Sequence, residues 1–325
     1  MSKAIRIHQP GGPEVLCWED IDVGEPGPGQ IRVRHGAVGL NYIDVYHRTG
    51  LYPLPSLPWT LGMEGAGKIE AIGEGVTEFK VGDRVAYASP PVGAYAEVRL
   101  IAADRVVALP DAIEDQTAAA MMLQGMTAQY LLRRTYRVQA GDAILLHAAA
   151  GGVGLIASQW ARHLGATVIG TVGSDEKAEL AHAHGCHHVI VYTRENFTER
   201  VREITNGQGM AAVYDSVGQA TFMGSLDCLR RLGMMVSFGN ASGPVQAFDP
   251  GILAAKGSLF LTRPSLMAYT AERADLVASA GELFEVVLNG AVKIEVRQTY
   301  PLAETAQAHR DLEARKTTGS TVLLP

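Results

Sequence analysis

GDAILLHAAAGGVGLIASQWAR, residues 141–162, runs from an apolar stretch (Ala143 to Leu146) through a turn of small residues (Ala148 to Gly154) into an amphipathic segment carrying Ile156, Trp160 and Leu164. That order predicts a strand, a tight turn and a helix. Inside the turn, Gly152-Val153-Gly154-Leu155-Ile156-Ala157 reads G-x-G-x-x-A, the form a dinucleotide-binding turn takes when a small residue replaces the third glycine. The first glycine permits the tight turn. The second lets backbone N–H groups approach a pyrophosphate with no Cβ in the way, and the alanine lets helix and strand pack closely. The phosphates are expected at the helix N-terminus, where unpaired N–H groups and the helix dipole favour anions.

Downstream of this stretch the pattern repeats. Strands are expected at Thr167 to Thr171, Val189 to Val191, Ala211 to Tyr214 and Met234 to Phe238, with helices between them at Glu176 to Ala183, Phe197 to Ile204 and Phe222 to Leu229. Such alternation implies a parallel sheet covered by helices on both faces. Upstream the texture differs. Ile31 to Val38 alternates apolar and polar residues after the turn signal Pro26-Gly27-Pro28-Gly29, and further short strands are expected at Gly67 to Ile72, Arg84 to Ala88, Ala94 to Arg99 and Val106 to Ala108. Many short strands separated by Gly and Pro suit a barrel-like β domain. Short helices are expected at Asn41 to Arg48, stopped by Gly50, and at Asp115 to Ala120 and Met122 to Arg134. The β-rich pattern resumes with strands at Val292 to Gln298 and Thr321 to Leu324 around a helix from Glu304 to Arg315.

At 325 residues the chain exceeds what one core usually accommodates, so two domains are expected. With 47% hydrophobic and 19% charged residues the composition is that of an ordinary globular protein, and the formal charge of −6 without a Lys/Arg cluster argues against a nucleic-acid partner. No apolar run is long enough to span a bilayer, and the start, MSKAIRIHQPGG, lacks the apolar core of a signal peptide. Cys17, Cys186 and Cys228 are far apart and form no CxxC pair, so a reduced compartment, the cytoplasm, is expected.

Gly141-Asp142, Leu145, Ala149 to Gly154, Gln159 and Arg162, with Gly12-Pro13-Glu14-Val15-Leu16, Gly39-Leu40-Asn41-Tyr42-Ile43-Asp44, Tyr214-Asp215-Ser216-Val217-Gly218 and Ser237-Phe238-Gly239-Asn240, closely resemble the zinc-independent quinone oxidoreductases. These form the zeta-crystallin-like branch of the medium-chain dehydrogenase/reductase superfamily. The resemblance extends over essentially the whole chain. It implies an α/β protein in which a GroES-like β-rich domain, residues 1–125 and 263–325, is interrupted by a Rossmann domain with a doubly wound parallel sheet, residues 126–262. It also implies a homodimer and a cofactor bound in a cleft.

Zinc-dependent members of that superfamily carry a Cys ligand where this chain has Asn41, and Gly-His-Glu where it has Gly62-Met63-Glu64. A carboxamide and a thioether are poor replacements for thiolate and imidazole on Zn²⁺. The four closely spaced cysteines of their structural zinc are missing from Tyr87 to Gly93. No metal is therefore expected. The cluster His182, His184, Cys186, His187 and His188 has metal-site residue types, but it sits at a helix end, where histidines face the dipole and solvent. His147 reads as a packed strand residue, and no Ser-His-Asp arrangement stands out.

A binder of NAD usually places a carboxylate at the tip of the second strand, about 20 residues past the glycines. Here that strand ends Gly170-Thr171-Val172-Gly173-Ser174. Ser174, Lys177 and Tyr192 together offer neutral and positive donors that suit a 2′-phosphate, and in the family these positions contact it. NADPH is the expected cofactor. Lys177 alone would read as a solvated helix lysine. Asp175 would repel the phosphate unless it caps the following helix.

Without zinc there is no Lewis acid to polarise a carbonyl. A quinone needs less help, so the expected reaction is NADPH-dependent reduction of a quinone or a similar electron-poor small molecule, by hydride or electron transfer. An enone or enoyl C=C reductase and a low-turnover NADPH-binding structural or regulatory protein are the alternatives. The resemblance implies that Asn41 and Tyr46 contact the nicotinamide ribose or line the site, and that Thr127 reaches the nicotinamide end. It implies Gly152 and Val153 at the pyrophosphate, and Phe238, Gly239 and Asn240 beside the nicotinamide. Ser216 lies in one of the matching segments, and Arg315 is a candidate near the diphosphate or ribose. Asn41 could instead satisfy a turn, and Tyr46 could be core. Tyr52 reads equally as a quinone-facing aromatic and as a core side chain.

Overall fold

The computed structural model describes residues 2–325. The chain begins with β1 (Ser2–Ile7), β2 (Cys17–Ile21), β3 (Gln30–Leu40), α1 (Tyr42–Thr49), β4 (Trp59–Thr60), β5 (Glu64–Ile72), β6 (Arg84–Ala88), β7 (Val98–Ala102) and β8 (Val107–Ala108). Two helices, α2 (Asp115–Ala119) and α3 (Met122–Tyr130), lead into a run of strands and helices: β9 (Ala143–Leu146), α4 (Gly152–His163), β10 (Thr167–Val172), α5 (Asp175–Ala183), β11 (His188–Val191), α6 (Phe197–Ile204), β12 (Met210–Asp215), α7 (Phe222–Asp227) and β13 (Leu229–Ser237). The remainder is α8 (Gly251–Ala255), β14 (Phe260–Thr262), α9 (Leu266–Tyr269), α10 (Arg273–Leu288), β15 (Val296–Pro301), α11 (Thr305–Glu313) and β16 (Ser320–Leu324).

These elements form two units. Unit 1 contains the described residues up to Gln124, together with Thr270–Phe284 and Ile294–Pro325, and unit 2 contains Gly125–Tyr269 and Glu285–Lys293. Unit 1 carries a three-stranded sheet, β2-β1-β4, and a seven-stranded sheet, β15-β16-β3-β5-β6-β8, with β7 also on β3. Strand β3 is the spine. Its Ile31 and Val33 point into a core with Ile5, Ile69, Val85 and Ile101, while Arg32 and Arg34 alternate outward, and past a register shift Ala37 packs in a separate cluster with Ala119, Ala120 and Val322. From Ala37 to Leu40 both faces are buried, and there β16 lies antiparallel against it, Val322 opposite Gly39.

Unit 2 is a six-stranded sheet of order β11-β10-β9-β12-β13-β14 whose pairings are all parallel. Strand β9 reads Ala-Ile-Leu-Leu because its last three residues are almost wholly buried, as an inner parallel strand requires. The chain winds outward from β9 first to β10 and β11, then back to β12, so the order reverses beside β9. Ligands of open parallel sheets bind at the carboxyl ends of the strands at such a reversal.

Several elements differ from the expectations. The strand expected at Ala94 to Arg99 begins at Val98, because Gly93, Ala94 and Tyr95 direct their N–H groups to Gly62 and Leu61, and the pairing with β1 is a single bridge, Ala4–Ala96, flanked by Ile5 N to Tyr95 O and Glu97 N to Lys3 O. The strand expected at Val292 to Gln298 begins at Val296, since the Val292 N–H closes the end of α10 by donating to Val286 O. The expected helix from Met122 is α-helical to Tyr130 and continues as a π turn, Leu131–Thr135. Helix α10 was not foreseen from the sequence.

Candidate active site

Apart from Thr127 on α3, the residues expected to bind a dinucleotide in unit 2 lie at or just beyond the carboxyl ends of its strands. After β9 the chain turns through Ala148, which adopts a left-handed conformation (φ 53°), and Gly151 N donates back to Ala148 O at 2.9 Å. Helix α4 starts immediately, with Gly152 and Val153 half-buried in its first turn, and its N-cap, Gly151, supplies no side-chain oxygen to the first-turn N–H groups. Twelve residues of helix therefore end in an uncapped positive pole at the sheet reversal. Gly154 also has a packing role: a Cβ there would lie 2.5 Å from Ala148 O and 2.7 Å from Ala149 Cα, so the missing side chain lets the helix sit against its own entry turn.

At the end of β10, Ser174 caps α5 by accepting from Lys177 N at 3.4 Å, and Lys177 follows one turn on. A hydroxyl that accepts from the helix still has its own proton to donate outward. At the end of β11 the half-exposed Tyr192 lies so close to Gly173 that a Cβ at that glycine would meet its hydroxyl at 2.8 Å. Ser174 and Tyr192 thus stand on adjacent strand ends. Asp175 does not cap α5. Its carboxylate receives Arg194 Nη1 at 2.7 Å and Nη2 at 2.5 Å, and these bonds hold its pKa below the usual carboxylate value. Arg194 was not foreseen; the only signal was a cation two residues past Tyr192.

At the ends of β12 and β13, Gly239 lies against the backbone of Ser216, where a Cβ would come 2.4 Å from Ser216 O, and Phe238 N donates to Asp215 O at 2.8 Å. Ser216, Phe238, Gly239 and Asn240 are therefore neighbours. Asp215 braces the turn, accepting from Val217 N (2.8 Å), Gly218 N (3.0 Å), Thr221 Oγ1 (2.7 Å) and Ser225 Oγ (2.9 Å). Ser225 also lies 3.0 Å from His147 Nε2, but its one proton is on the carboxylate and all three side chains are buried. In a nucleophilic triad the serine donates to the histidine, so this group is structural. Thr127, buried on α3, bonds the Tyr130 side chain.

In unit 1, Asn41 follows β3 directly and is the N-cap of α1. Its N–H donates to Asp44 Oδ2 at 2.9 Å, and its buried carboxamide lies 2.6 Å from Glu64 Oε2 and 3.1 Å from Gln124 Nε2. Glu64 also accepts from Leu123 N, and its wholly buried carboxyl is pushed up to about 8 by loss of solvent. Asp44 is raised to about 7 for the same reason. It ends a one-way chain in which Arg48 Nη1 donates to His309 Nδ1 (2.9 Å), His309 Nε2 to Tyr95 OH (3.1 Å), and Tyr95 OH to Asp44 Oδ2 (2.8 Å). Tyr46 packs edge-on to both Tyr42 and Tyr52, with ring centres 5.5 and 5.2 Å away, and His47 stands 5.9 Å from Tyr52. Tyr42 and His47 belong to this aromatic group, a contact no sequence pattern marked. Arg315 is exposed just beyond α11, in a left-handed conformation, and its charge acts on Tyr42.

Among the described residues no three His, Cys, Asp or Glu side chains are grouped to hold a metal ion. His182, His184 and His187 each direct Nδ1 to a backbone group. At the position of the superfamily's histidine ligand stands Met63, a buried thioether.

Comparison with known proteins agrees with this architecture. Residues 27–111 match the family described as alcohol dehydrogenase GroES-like domain, and residues 152–290 match zinc-binding dehydrogenase. A quinone oxidoreductase of Pseudomonas aeruginosa is 55% identical over all of both chains. A 2-haloacrylate reductase of a Burkholderia species is 48% identical, covering 100% of this chain and 99% of the other. The crystal structure of Escherichia coli quinone oxidoreductase complexed with NADPH superimposes with a TM-score of 0.98 at 49% identity, over 99% of this chain and 100% of that one. The chain belongs to the quinone oxidoreductase family of the medium-chain dehydrogenase/reductase superfamily.

Proposed function

We propose that the chain is an NADPH-dependent quinone reductase working without a metal. The observation that carries this reading is the full-length match to quinone oxidoreductases, one of them crystallised with NADPH. When bound, NADPH supplies the reducing equivalent from its nicotinamide. The residues fit such a cofactor: the uncapped first turn of α4 suits a pyrophosphate. Gly152 and Val153 serve it there. Ser174, Lys177 and Tyr192 receive the 2′-phosphate, and Ser216, Phe238, Gly239, Asn240 and Thr127 border the nicotinamide end. In unit 1, Asn41 and Tyr46 face the ribose, Arg315 attracts the diphosphate, and Tyr52 stacks on the acceptor ring. The protein's part in the reaction is orientation of donor and acceptor.

Metal independence is supported by Asn41 and Met63, a carboxamide and a thioether where zinc needs thiolate and imidazole. A homodimer is supported by β14, an edge strand whose Phe260 is 56% exposed. Three unpaired cysteines, two of them buried, are consistent with a reducing compartment such as the cytoplasm. No helix among the described residues is long and apolar enough to cross a membrane.

The test is oxidation of NADPH and of NADH by the purified protein across a panel of small and polycyclic quinones and of enones and haloacrylates. Turnover with quinones and NADPH is expected. Failure to oxidise NADPH with any quinone sinks the proposal. The 2-haloacrylate reductase relative favours C=C reduction as the second reading, and faster turnover of the alkenes would establish it.

A further inference from the structure

Asp175 stands where a carboxylate does most harm to a phosphate. It is the first residue of α5, next to Ser174 at the end of β10, and in a binder of the 2′-hydroxyl a carboxylate near this tip would be an asset. Adjacent strand ends are laced together here: Tyr192 N donates to Val172 O (3.1 Å), Thr193 Oγ1 to Gly173 O (3.3 Å) and Arg194 N to Val191 O (3.1 Å). This lacing carries the Arg194 guanidinium across to Asp175, where its two terminal nitrogens meet the two carboxylate oxygens. Both side chains are mainly in water, 57% and 70% exposed, so the pair adds little to folding stability. Its effect is on the local field. The other charged groups nearby are Glu176 and Lys177 on α5 and Glu195 after β11, and Glu195 is engaged by Arg200 at 3.1 Å and by Val191 N.

We propose that Arg194 is a specificity-determining residue for the phosphorylated cofactor: by gripping both oxygens of Asp175 it turns that carboxylate away and cancels its charge, so that Ser174, Lys177 and Tyr192 can accept a 2′-phosphate. The planar fork matters, because a lysine could neutralise the charge but not fix the carboxylate's direction. The inference rests on the placement of the 2′-phosphate given under Proposed function.

Dissociation constants for NADPH and NADH, measured by fluorescence titration in the absence of acceptor, test it on four proteins: wild type, R194A, D175A and R194A/D175A. Removing Arg194 should weaken NADPH about tenfold, one unmasked charge close to a phosphate, and leave NADH within about twofold. The loss should shrink to about threefold or less when Asp175 is already alanine, and R194K should fall between, with all effects smaller at high salt. Equal loss for both cofactors, or no loss, overturns the proposal. So does an undiminished loss in the D175A background, which would make Arg194 a direct phosphate ligand. If wild type itself shows no preference for NADPH, the cofactor reading fails instead. Matching circular dichroism melts for the four proteins will confirm that binding rather than folding is compared.

Discussion

Glu64 and Asp44 are the residues whose burial has the clearest consequence. Folding raises their pKa values from 4.5 to about 8 and from 3.8 to about 7, so over the intervening range the folded chain keeps protons that the unfolded chain has lost. Their share of stability is complete below the unfolded values and is lost as pH rises through the folded ones. His35 and His309 act in the opposite sense. Burial lowers them from 6.5 to about 4 and about 3, so their share is present above 6.5 and is lost as pH falls towards the folded values. Between pH 6.5 and about 8 the two carboxyls outweigh the last of the histidines' titration, and stability should decline with pH, each carboxyl contributing a slope of up to about 1.4 kcal/mol per unit. Urea unfolding at several pH values in that window measures it, and Glu64→Gln should flatten the curve. A wild-type curve that is level or rising there would contradict the buried protonation. No sequence pattern marked Glu64 as the partner of Asn41. The two meet only because β3 and β5 pair antiparallel with Gly39 opposite Glu64.

At the scale of elements, helix α1 is held through Arg48, 1% exposed, which donates to Gly11 O, His309 and both oxygens of Glu313 on α11. Arg48→Ala leaves a half-buried carboxylate without its partner and should destabilise the protein by about 3 kcal/mol or more, whereas loss of the exposed Arg34–Glu70 pair should cost under about 1 kcal/mol. Denaturant midpoints of R48A and R34A decide between these magnitudes; equal values would show that burial is not what strengthens the Arg48 cluster. Much of this level was legible from sequence. The span Ala143–Leu146 and the strands and helices that follow it stand out because inner parallel strands are short apolar runs and their helices are amphipathic. What sequence could not supply were contacts between distant segments: Arg48 with Glu313, Asp175 with Arg194, and the hydrogen bonds to Gly62 that replaced an expected strand at Ala94. Glycines, too, are ambiguous by letter, and the close packing of Gly154 against its own entry turn was not visible in the sequence.

For the whole molecule, the edge strand β14 predicts association between copies of the chain. In analytical ultracentrifugation the wild type should have twice the mass of Phe260→Lys, which places a charge on that edge; a wild-type monomer, or an unchanged mass in the variant, would overturn pairing through β14. The division into units has a further consequence. Unit 2 is largely a continuous piece, with each strand of its sheet between Ala143 and Thr262, but the spine of unit 1, β3, has β16 as one of its partners. During synthesis on the ribosome the nucleotide-binding sheet can be complete while β3, made far earlier, still shows an open edge. That edge must stay unpaired until Ser320–Leu324 emerges, so the newborn chain passes through a stage in which a strand made early keeps part of its edge open to chaperones and to aggregation.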